Sequence, residues 1–213
     1  MKTYPLCLVG LETQRVIIIG GGSVAARKAA SLVEAGACPL VISPDLHSDL
    51  QNLLDHAEIH HLPRTYQPGD LAESFLVISA TDDAGVNHQV WQEARAAGCL
   101  INIVDDPPHC NFILPAVVRR GDLTLSVSTG GGSPALARRL RERLETEFGL
   151  EYGELAAILD ELRPDLIASY PPADRLEVAL RLVDGPLLEI LHRDGVAAAR
   201  AYAENELKGN TDK

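Results

Sequence analysis

Residues 15–28 have the sequence Arg15-Val-Ile-Ile-Ile-Gly-Gly-Gly-Ser-Val-Ala-Ala-Arg-Lys28. The β-branched run that ends at Ile19 predicts a strand buried on both faces, because continuous Val, Ile and Leu are typical of such strands. Three glycines follow, and a helical pattern of apolar residues then extends from Ser23 to Ala35. Gly36 is suited to end that helix, since glycine adopts the left-handed conformation common at helix C-termini. The segment therefore predicts a strand, a glycine-rich turn and a helix in immediate succession.

The alternation of strand and helix continues through residue 112. Further apolar runs occupy residues 40–43, 59–62 (the weakest), 75–80 and 100–104, and a helical pattern occupies residues 85–97. Strands that alternate with helices indicate βαβ units and a parallel sheet with right-handed crossovers. We therefore predict an α/β fold in which residues 1–112 form a Rossmann-type doubly wound parallel sheet.

A different pattern begins after Pro115. Residues 116–128 predict two strands around a turn at Gly121 and Asp122. Ser133 and Pro134 are a suitable N-cap and first helical residue for the helix that follows. This part of the chain therefore predicts a small α+β segment, with bounds at residues 113–150.

The remaining residues, 151–213, predict a helical C-terminal domain. Residues 151–207 have the pattern of about three amphipathic helices, with breaks near residues 170–172 and 184–186. We expect the chain from Gly209 onward to be frayed.

Composition narrows the class of protein. The chain has 213 residues, of which 46% are apolar and 23% charged, as in ordinary soluble globular proteins and unlike disordered ones. No apolar run approaches the ~20 residues of a membrane span, and the apolar stretch before Glu12 is too short for a secretory signal, so a cytoplasmic location is expected. The net charge of −11 argues against nucleic-acid binding.

The four cysteines, Cys7, Cys38, Cys99 and Cys110, form no C-x-x-C pair. That spacing argues against a zinc site or a redox motif. We expect reduced, buried thiols.

The glycine-rich turn predicts dinucleotide binding. Gly20-x-Gly22-x-x-Ala25 fits the pattern G-x-G-x-x-[GA] between a strand and a helix. The first glycine would permit the tight turn, the second would let a diphosphate approach the backbone, and Ala25 would keep helix and strand close. The helix N-terminus would add N–H donors and partial positive charge. The alternative is a flavodoxin-like sheet whose glycine turn holds no ligand.

Residues after the second and fourth strands extend this candidate site. Asp45 lies near the position where the nicotinamide fingerprint has an acid on the ribose, and Ser43 is an alternative donor. Asp45 could equally be a turn or capping carboxylate. No Arg or Lys lies between residues 29 and 63 to hold a 2′-phosphate, which favours NAD over NADP. Thr81 and Asp82 follow the fourth strand at the ligand-binding edge, although Asp82 or Asp83 could instead cap the next helix.

Asp105 follows the fifth strand and is the candidate catalytic residue. A carboxylate at that strand end would lie beside the nicotinamide crevice and could accept a proton while hydride passes to the cofactor. The alternative is a turn or capping carboxylate. His109 and Cys110 are close in sequence and could be ligands or acid–base groups, although a loop histidine is commonly only solvated.

Residues 113–150 are the one net positive part of the chain, with six arginines against four acidic residues. The turn at Gly130 to Ser133 directs a helix N-terminus outward, and glycine followed by a helix start forms an anion site. Arginines on the nearby turns could pair with carboxylates of a polyanionic substrate. The alternative is a solvated helix face paired with Glu142, Glu145 and Glu147.

Five motifs occur together in one order and spacing: Val16-Ile-Ile-Ile-Gly-Gly-Gly-Ser-Val-Ala-Ala-Arg-Lys28, Ala80-Thr-Asp-Asp83, Asn102-Ile-Val-Asp105, Asn111-Phe-Ile-Leu-Pro115 and Ser128-Thr-Gly-Gly-Gly-Ser-Pro-Ala-Leu-Ala-Arg138. In these motifs the chain resembles precorrin-2 dehydrogenase, the N-terminal module of siroheme synthases. The match covers residues 1 to about 150 well and the helical tail loosely.

The resemblance implies NAD-dependent oxidation of precorrin-2, a tetrapyrrole with eight carboxylates, to sirohydrochlorin. Some members also insert Fe²⁺ to give siroheme. A homodimer is implied, with its interface built by residues 113–150, and the family's essential aspartate falls on Asp105. The predicted cofactor contacts are Gly20, Gly22, Ser23, Val24, Ser43, Pro44, Asp45, Thr81 and Asp82. The predicted substrate contacts are Arg119, Arg120, Thr129, Gly130, Gly131, Ser133 and Arg138.

The chain departs from the fused siroheme synthases in two respects. Their C-terminal methyltransferase module has no counterpart within 213 residues, so methylation of uroporphyrinogen is not expected. Asp106 directly follows Asp105 and could share its role. Two other functions stay open from the sequence: an NAD-sensing regulatory module without turnover, and a ferrochelatase without dehydrogenase activity. A permanent metal-ligand cluster is not expected.

Overall fold

The structure is a computed structural model that describes residues 2–208. It divides into two compact units between Leu114 and Pro115. None of the helices in the described range combines the length and apolar character needed to cross a membrane. The residues from Gly209 onward, expected to fray, lie outside that range.

The first unit contains a five-stranded parallel sheet. Its strands are β1 (Val16–Ile19), β2 (Leu40–Ile42), β3 (His60–Leu62), β4 (Leu76–Ser79) and β5 (Leu100–Ile103), in the spatial order β3-β2-β1-β4-β5. Helices α1 (Ser23–Val33), α2 (Ser48–Asp55) and α3 (Ala84–Ala97) connect them. This order confirms the predicted doubly wound sheet, whose strand order reverses between β1 and β4.

Two apolar clusters cover the two faces of this sheet. One face packs against α1 and α2 through alanines and leucines such as Ala25, Ala29 and Leu50. The other packs against α3 and against the β3–β4 connection, which has no helix and supplies Tyr66 and Leu71. Small residues on α1 let the helix approach the sheet closely, as Ala25 was predicted to do.

A carboxylate of α3 holds the helix-free β3–β4 connection in place. The Glu93 carboxylate accepts hydrogen bonds from the backbone N–H of Gly69 (2.9 Å) and Leu71 (2.8 Å) and from the Tyr66 hydroxyl. Desolvation and the neighbouring Glu93 raise the pKa of Tyr66, so the phenol remains a hydrogen-bond donor at ordinary pH.

Helix α2 was not predicted from the sequence. It is only eight residues long, and its N-cap is His47, whose Nδ1 accepts a hydrogen bond from the Asp49 N–H at 3.2 Å. Histidine is not among the usual N-cap residues, so the start of this helix gives no standard signal.

The second unit begins with an antiparallel hairpin, β6 (Ala116–Arg120) and β7 (Leu123–Val127), followed by α4 (Pro134–Glu147). Ser133 caps α4, because its Oγ accepts a hydrogen bond from the Leu136 N–H at 3.3 Å. Both features confirm the predicted turn and helix start.

Between residues 151 and 208, the part of this tail that the structure describes, there are four helices and not about three. They are α5 (Glu151–Ser169), α6 (Arg175–Asp184), α7 (Leu187–Asp194) and α8 (Val196–Lys208), and their apolar side chains form a separate core. The break between α7 and α8, at Gly195, was not predicted. Gly195 has φ +84°, in the left-handed region that favours glycine, and α7 ends before it.

The cysteine prediction is only partly correct. All four cysteines are free thiols, and Cys99 is buried, but Cys7 and Cys38 are exposed. Cys7 lies in an irregular N-terminal segment and Cys38 in the loop between α1 and β2, so neither reaches the core.

Candidate functional site

The parallel sheet brings most predicted cofactor contacts to one edge. Because the strands are parallel, the turns after β1, β2, β4 and β5 all lie at the carboxyl edge of the sheet. Gly20–Ala25, Ser43–Asp45, Thr81–Asp83 and Asp105 therefore share this edge, at which ligands bind in doubly wound folds.

Gly20 and Gly22 differ in what surrounds them. Gly20 has φ +108°, and a Cβ there would overlap the backbone carbonyl of Ala80, so only glycine fits. Gly22 has ordinary extended backbone, and a Cβ there would meet no atom within 4 Å. The backbone at Gly22 thus borders open space, as a phosphate-binding turn requires.

Gly21 is a structural requirement that the sequence pattern did not reveal. A Cβ on this residue would overlap the carbonyl oxygen of Asp45 and lie 2.5 Å from the Ser43 hydroxyl oxygen. The Gly21 carbonyl also accepts a hydrogen bond from the His47 N–H at 2.7 Å. The turn after β2 therefore packs directly against the glycine-rich turn. A third consecutive glycine is consistent with a close backbone approach here, but no spacing identifies Ser43 and Asp45 as the residues in contact.

The N-terminus of α1 has no side-chain cap within the described residues. Its N-cap is Gly22, so the first N–H groups of the helix point outward with the positive end of the helix dipole. Ser23 is exposed and Val24 is half-buried at this helix start. These donors and the open space at Gly22 fit a dinucleotide diphosphate.

The turn after β2 exposes a carboxylate. Ser43 is 7% exposed, whereas Pro44 and Asp45 are exposed. Asp45 is not the cap of α2, because His47 has that role. Asp45 is thus positioned at the sheet edge with a solvent-facing carboxylate.

The turn after β4 separates the roles of its two aspartates. Asp83 caps α3, since its carboxylate accepts hydrogen bonds from the N–H groups of Gly85 (2.8 Å) and Val86 (3.0 Å). Thr81 Oγ1 accepts a hydrogen bond from the Asp83 N–H at 3.3 Å, and Asp82 is exposed. Asp83 is therefore structural, which leaves Asp82 as the carboxylate open to a ligand.

Asp105 lies in a tight turn directly after β5. The turn is closed by a 3.2 Å hydrogen bond from the Asp106 N–H to the Ile103 carbonyl, and Asp105 has φ +60°. Residues other than glycine rarely adopt this left-handed backbone conformation, although Asp tolerates it better than most. The Asp105 side chain is exposed at the sheet edge.

The residues next to Asp105 already have partners. The Asp106 carboxylate hydrogen-bonds the His109 ring, with Oδ2 and Nδ1 2.7 Å apart, and that ring packs edge-on against Trp91 with centroids 4.6 Å apart. Cys110 Sγ accepts a hydrogen bond from the Ile103 N–H at 3.1 Å, and burial raises the pKa of this thiol. We therefore assign these three side chains to holding the turn, with Asp105 as its free carboxylate.

Lys28 is a residue of this edge that sequence reasoning missed. It lies on α1 and is half-buried, and desolvation together with the neighbouring Arg27 lowers the pKa of its ammonium, while the charge of Asp105 opposes that shift. The two opposite charges of Lys28 and Asp105 therefore act on each other. No spacing rule connects positions 28 and 105, so this interaction could not be predicted from the sequence.

The predicted substrate contacts all lie in the second unit, and several are engaged there. Arg120 donates hydrogen bonds to the carbonyls of Phe148 and Glu145, both at 2.9 Å, near the C-terminus of α4. Arg138 is exposed and pairs with Glu142 at 3.0 Å. Arg120 thus caps the C-terminal end of α4. The ion pair of Arg138 with Glu142 agrees with the alternative prediction, a solvated helix face paired with glutamates.

The turn before α4 is closed by its own side chains. Thr129 Oγ1 accepts a hydrogen bond from the Ser133 N–H at 3.0 Å, and Gly130 and Gly131 have φ of +61° and +81°. Within residues 2–208, no group of three or more His, Cys, Asp and Glu side chains is arranged to hold a metal ion.

Two family models match the chain. Residues 7–116 match the family described as putative NAD(P)-binding, and residues 120–147 match the sirohaem biosynthesis protein central family. The first match covers more than half of the chain and coincides with the sheet unit.

Curated relatives and a solved structure agree with these matches. The siroheme synthase of Chromobacterium violaceum is 39% identical over 215 residues, which cover 100% of this chain and 46% of that protein. The siroheme synthase of Methylobacillus flagellatus is 44% identical over 163 residues, 76% of this chain and 35% of that protein. This chain thus spans about half the length, or less, of the curated relatives it matches.

A solved structure described as SirC, precorrin-2 dehydrogenase, shares the fold with a TM-score of 0.74 at 23% identity, over 97% of this chain and 100% of that one. The predicted resemblance to the N-terminal module of siroheme synthases is confirmed, and the chain belongs to the family described as putative NAD(P)-binding.

Proposed function

We propose that this protein oxidises precorrin-2 to sirohydrochlorin with NAD, as one step of siroheme biosynthesis. The observation that carries the proposal is the shared sheet edge, where an uncapped helix N-terminus at an open glycine turn and the exposed carboxylate of Asp105 occur together. The siroheme synthase relatives and the sirohaem central match support the choice of substrate.

The residues at the edge fit a nicotinamide dinucleotide. Backbone N–H groups at Gly22, Ser23 and Val24 would hold the diphosphate, and the Asp45 carboxylate would accept a hydrogen bond from a ribose hydroxyl. The same carboxylate would repel a 2′-phosphate, and no Lys or Arg lies between residues 29 and 63 to offset that repulsion, which favours NAD. When bound, the cofactor supplies a two-electron acceptor for hydride.

Asp105 is the proposed proton acceptor. Oxidation of precorrin-2 removes one hydride and one proton, so that precorrin-2 and NAD⁺ give sirohydrochlorin, NADH and H⁺. An exposed carboxylate at the strand end can take that proton and release it to solvent. The ammonium of Lys28, opposite in charge, would help to keep the Asp105 carboxylate oriented toward the edge.

The second unit is proposed to bind substrate carboxylates and to form the homodimer. Arg119, Arg138 and the turn from Thr129 to Ser133 provide cationic groups and a helix N-terminus suited to a polyanion. Arg120 is a weaker candidate, because its guanidinium already binds three carbonyls. Insertion of Fe²⁺, with the metal as substrate, is proposed as a second activity in which Asp105 again accepts protons.

The decisive experiment is an anaerobic assay with precorrin-2 and NAD. The proposal expects the spectrum of sirohydrochlorin and NADH absorbance to appear together in equal amounts, and siroheme to form when Fe²⁺ is added. NAD binding without turnover would instead support a sensing module. Iron insertion into supplied sirohydrochlorin without any oxidation would support a ferrochelatase alone.

A further inference from the structure

His61 connects the sheet to the turn that follows β2. It is a half-buried residue of β3, and its Nε2 lies 2.9 Å from the carbonyl oxygen of Ser43. The Ser43 N–H donates to the Leu62 carbonyl at 3.2 Å. Strand β3 therefore holds both backbone polar groups of Ser43, one through its own backbone and one through the His61 ring.

Ser43 in turn borders Gly21 with no space between them. The position of a Cβ on Gly21 lies 2.5 Å from Ser43 Oγ and 2.9 Å from Ser43 Cβ. The backbone N–H of His47, four residues further on, donates to the Gly21 carbonyl at 2.7 Å. Because Ser43 leaves no space for a side chain at Gly21 and the His47 N–H holds the Gly21 carbonyl, a movement of this turn toward Gly21 would displace the glycine-rich turn.

Gly21 lies between Gly20 and Gly22, the two glycines of the predicted diphosphate-binding turn before α1. We propose that His61 is a positioning residue for the dinucleotide. By donating a hydrogen bond to the Ser43 carbonyl, it fixes the turn after β2, which packs against the glycine-rich turn. His61 would touch no part of the cofactor and would act through Ser43 and Gly21. The inference rests on the proposed binding of NAD at this turn.

The hydrogen bond requires a hydrogen on Nε2 of the His61 ring. A carbonyl oxygen only accepts, so Nε2 of His61 must carry the hydrogen. Both the neutral Nε2–H form and the protonated ring can donate this bond. The role is therefore tested by substitution and not by pH.

The chain provides a matched control. His60 is the preceding residue of β3, it is exposed, and within residues 2–208 its side chain makes no hydrogen bond. His60→Leu therefore changes the same residue type on the same strand without touching Ser43.

The test measures dissociation constants for NAD⁺ and ADP-ribose by calorimetry. We expect His61→Leu and His61→Asn to weaken both ligands about three- to tenfold, the range for one lost hydrogen bond, and His61→Gln, whose amide can still reach the carbonyl, to restore affinity. His60→Leu should bind as the wild type does. In turnover, His61→Asn should raise KM for NAD and leave kcat unchanged.

Three results would overturn the inference. Unchanged affinity in His61→Leu or, if that variant does not fold, in His61→Asn would show that the bond does not support the turn. Equal weakening by His60→Leu would point to a general loss of strand β3. A fall in kcat with unchanged KM for NAD would place the effect elsewhere. Absence of NAD binding in the wild type would instead contradict the proposed function itself, and that titration is read first.

Discussion

The carboxyl edge of the parallel sheet and the basic segment at residues 113–150 were both predicted to bind ligands, but their charged groups have different surroundings. At the sheet edge, no ion pair or hydrogen bond within the described residues occupies the carboxylates of Asp45, Asp82 or Asp105. In the basic segment, Arg120 binds backbone carbonyls and Arg138 pairs with a glutamate.

This difference separates two kinds of candidate residue. A charged group without a partner at a ligand-binding edge is available for chemistry, whereas a charged group with several partners contributes first to the fold. Substitutions at the sheet edge should therefore change turnover or ligand binding, whereas loss of a charged group with several partners should lower stability.

The largest effect is expected from the two adjacent aspartates after β5. Asp105→Asn should lower kcat by about 10²- to 10⁴-fold, the usual contribution of a general base, because the amide cannot accept the proton. Asparagine tolerates the left-handed backbone at this position, so the turn should persist. Stopped-flow detection of NADH measures the loss, and NAD affinity should not change.

Asp106→Asn is the matched control for that variant. Its amide oxygen can still accept a hydrogen bond from His109, so turnover should fall by less than about tenfold. If the two variants lost activity equally, the assignment of Asp105 as the free carboxylate would be wrong.

The second effect concerns cofactor binding at Gly22. Gly22→Asp should weaken NAD binding by about 100-fold or more, because a carboxylate would face the diphosphate in the open space beside the turn. Gly22→Ala is the control, since its Cβ meets no atom within 4 Å and should leave folding intact. Calorimetric titration with NAD⁺ compares the two, and iron insertion into sirohydrochlorin should survive in Gly22→Asp if it is independent of NAD.

The third effect is on stability and compares two arginines of the second unit. Arg120→Ala should lower the free energy of unfolding by about 1–3 kcal/mol, because the carbonyls near the end of α4 lose their donor. Arg138→Ala should leave the urea midpoint unchanged, since exposed ion pairs contribute little, and should instead raise KM for precorrin-2. If Arg120→Ala kept its free energy of unfolding but had a strongly raised KM for precorrin-2, Arg120 would be a substrate contact and not a helix cap.

The smallest effect is expected at Lys28. Its pKa is lowered in the folded protein, chiefly by desolvation, so the unfolded chain holds the proton to higher pH. The free energy of unfolding should therefore rise as pH increases toward the ordinary lysine pKa of about 10.5. Lys28→Met should remove this dependence and raise the melting temperature at pH 7, while reducing turnover. A lower melting temperature in Lys28→Met would contradict the inference that burial of the Lys28 ammonium costs stability.

The sequence predicted the sheet edge well because its signals are local. A strand, three glycines and a helix start occur within residues 16–23, and parallel pairing then brings every strand end to one edge. Contacts between distant positions left no such signal. Neither the electrostatic effect of Asp105 on Lys28 nor the approach of Ser43 to Gly21 follows from any spacing along the chain, and Arg120 was predicted from its charge alone.

The helix-free connection between β3 and β4 has a consequence for local opening. The N–H groups of Gly69 and Leu71 are held by a carboxylate of α3, more than twenty positions further along the chain. If α3 detaches from the sheet, those amides lose their acceptor at the same time. Amide hydrogen exchange should therefore report residues 66–71 and α3 as one cooperative unit, with similar protection.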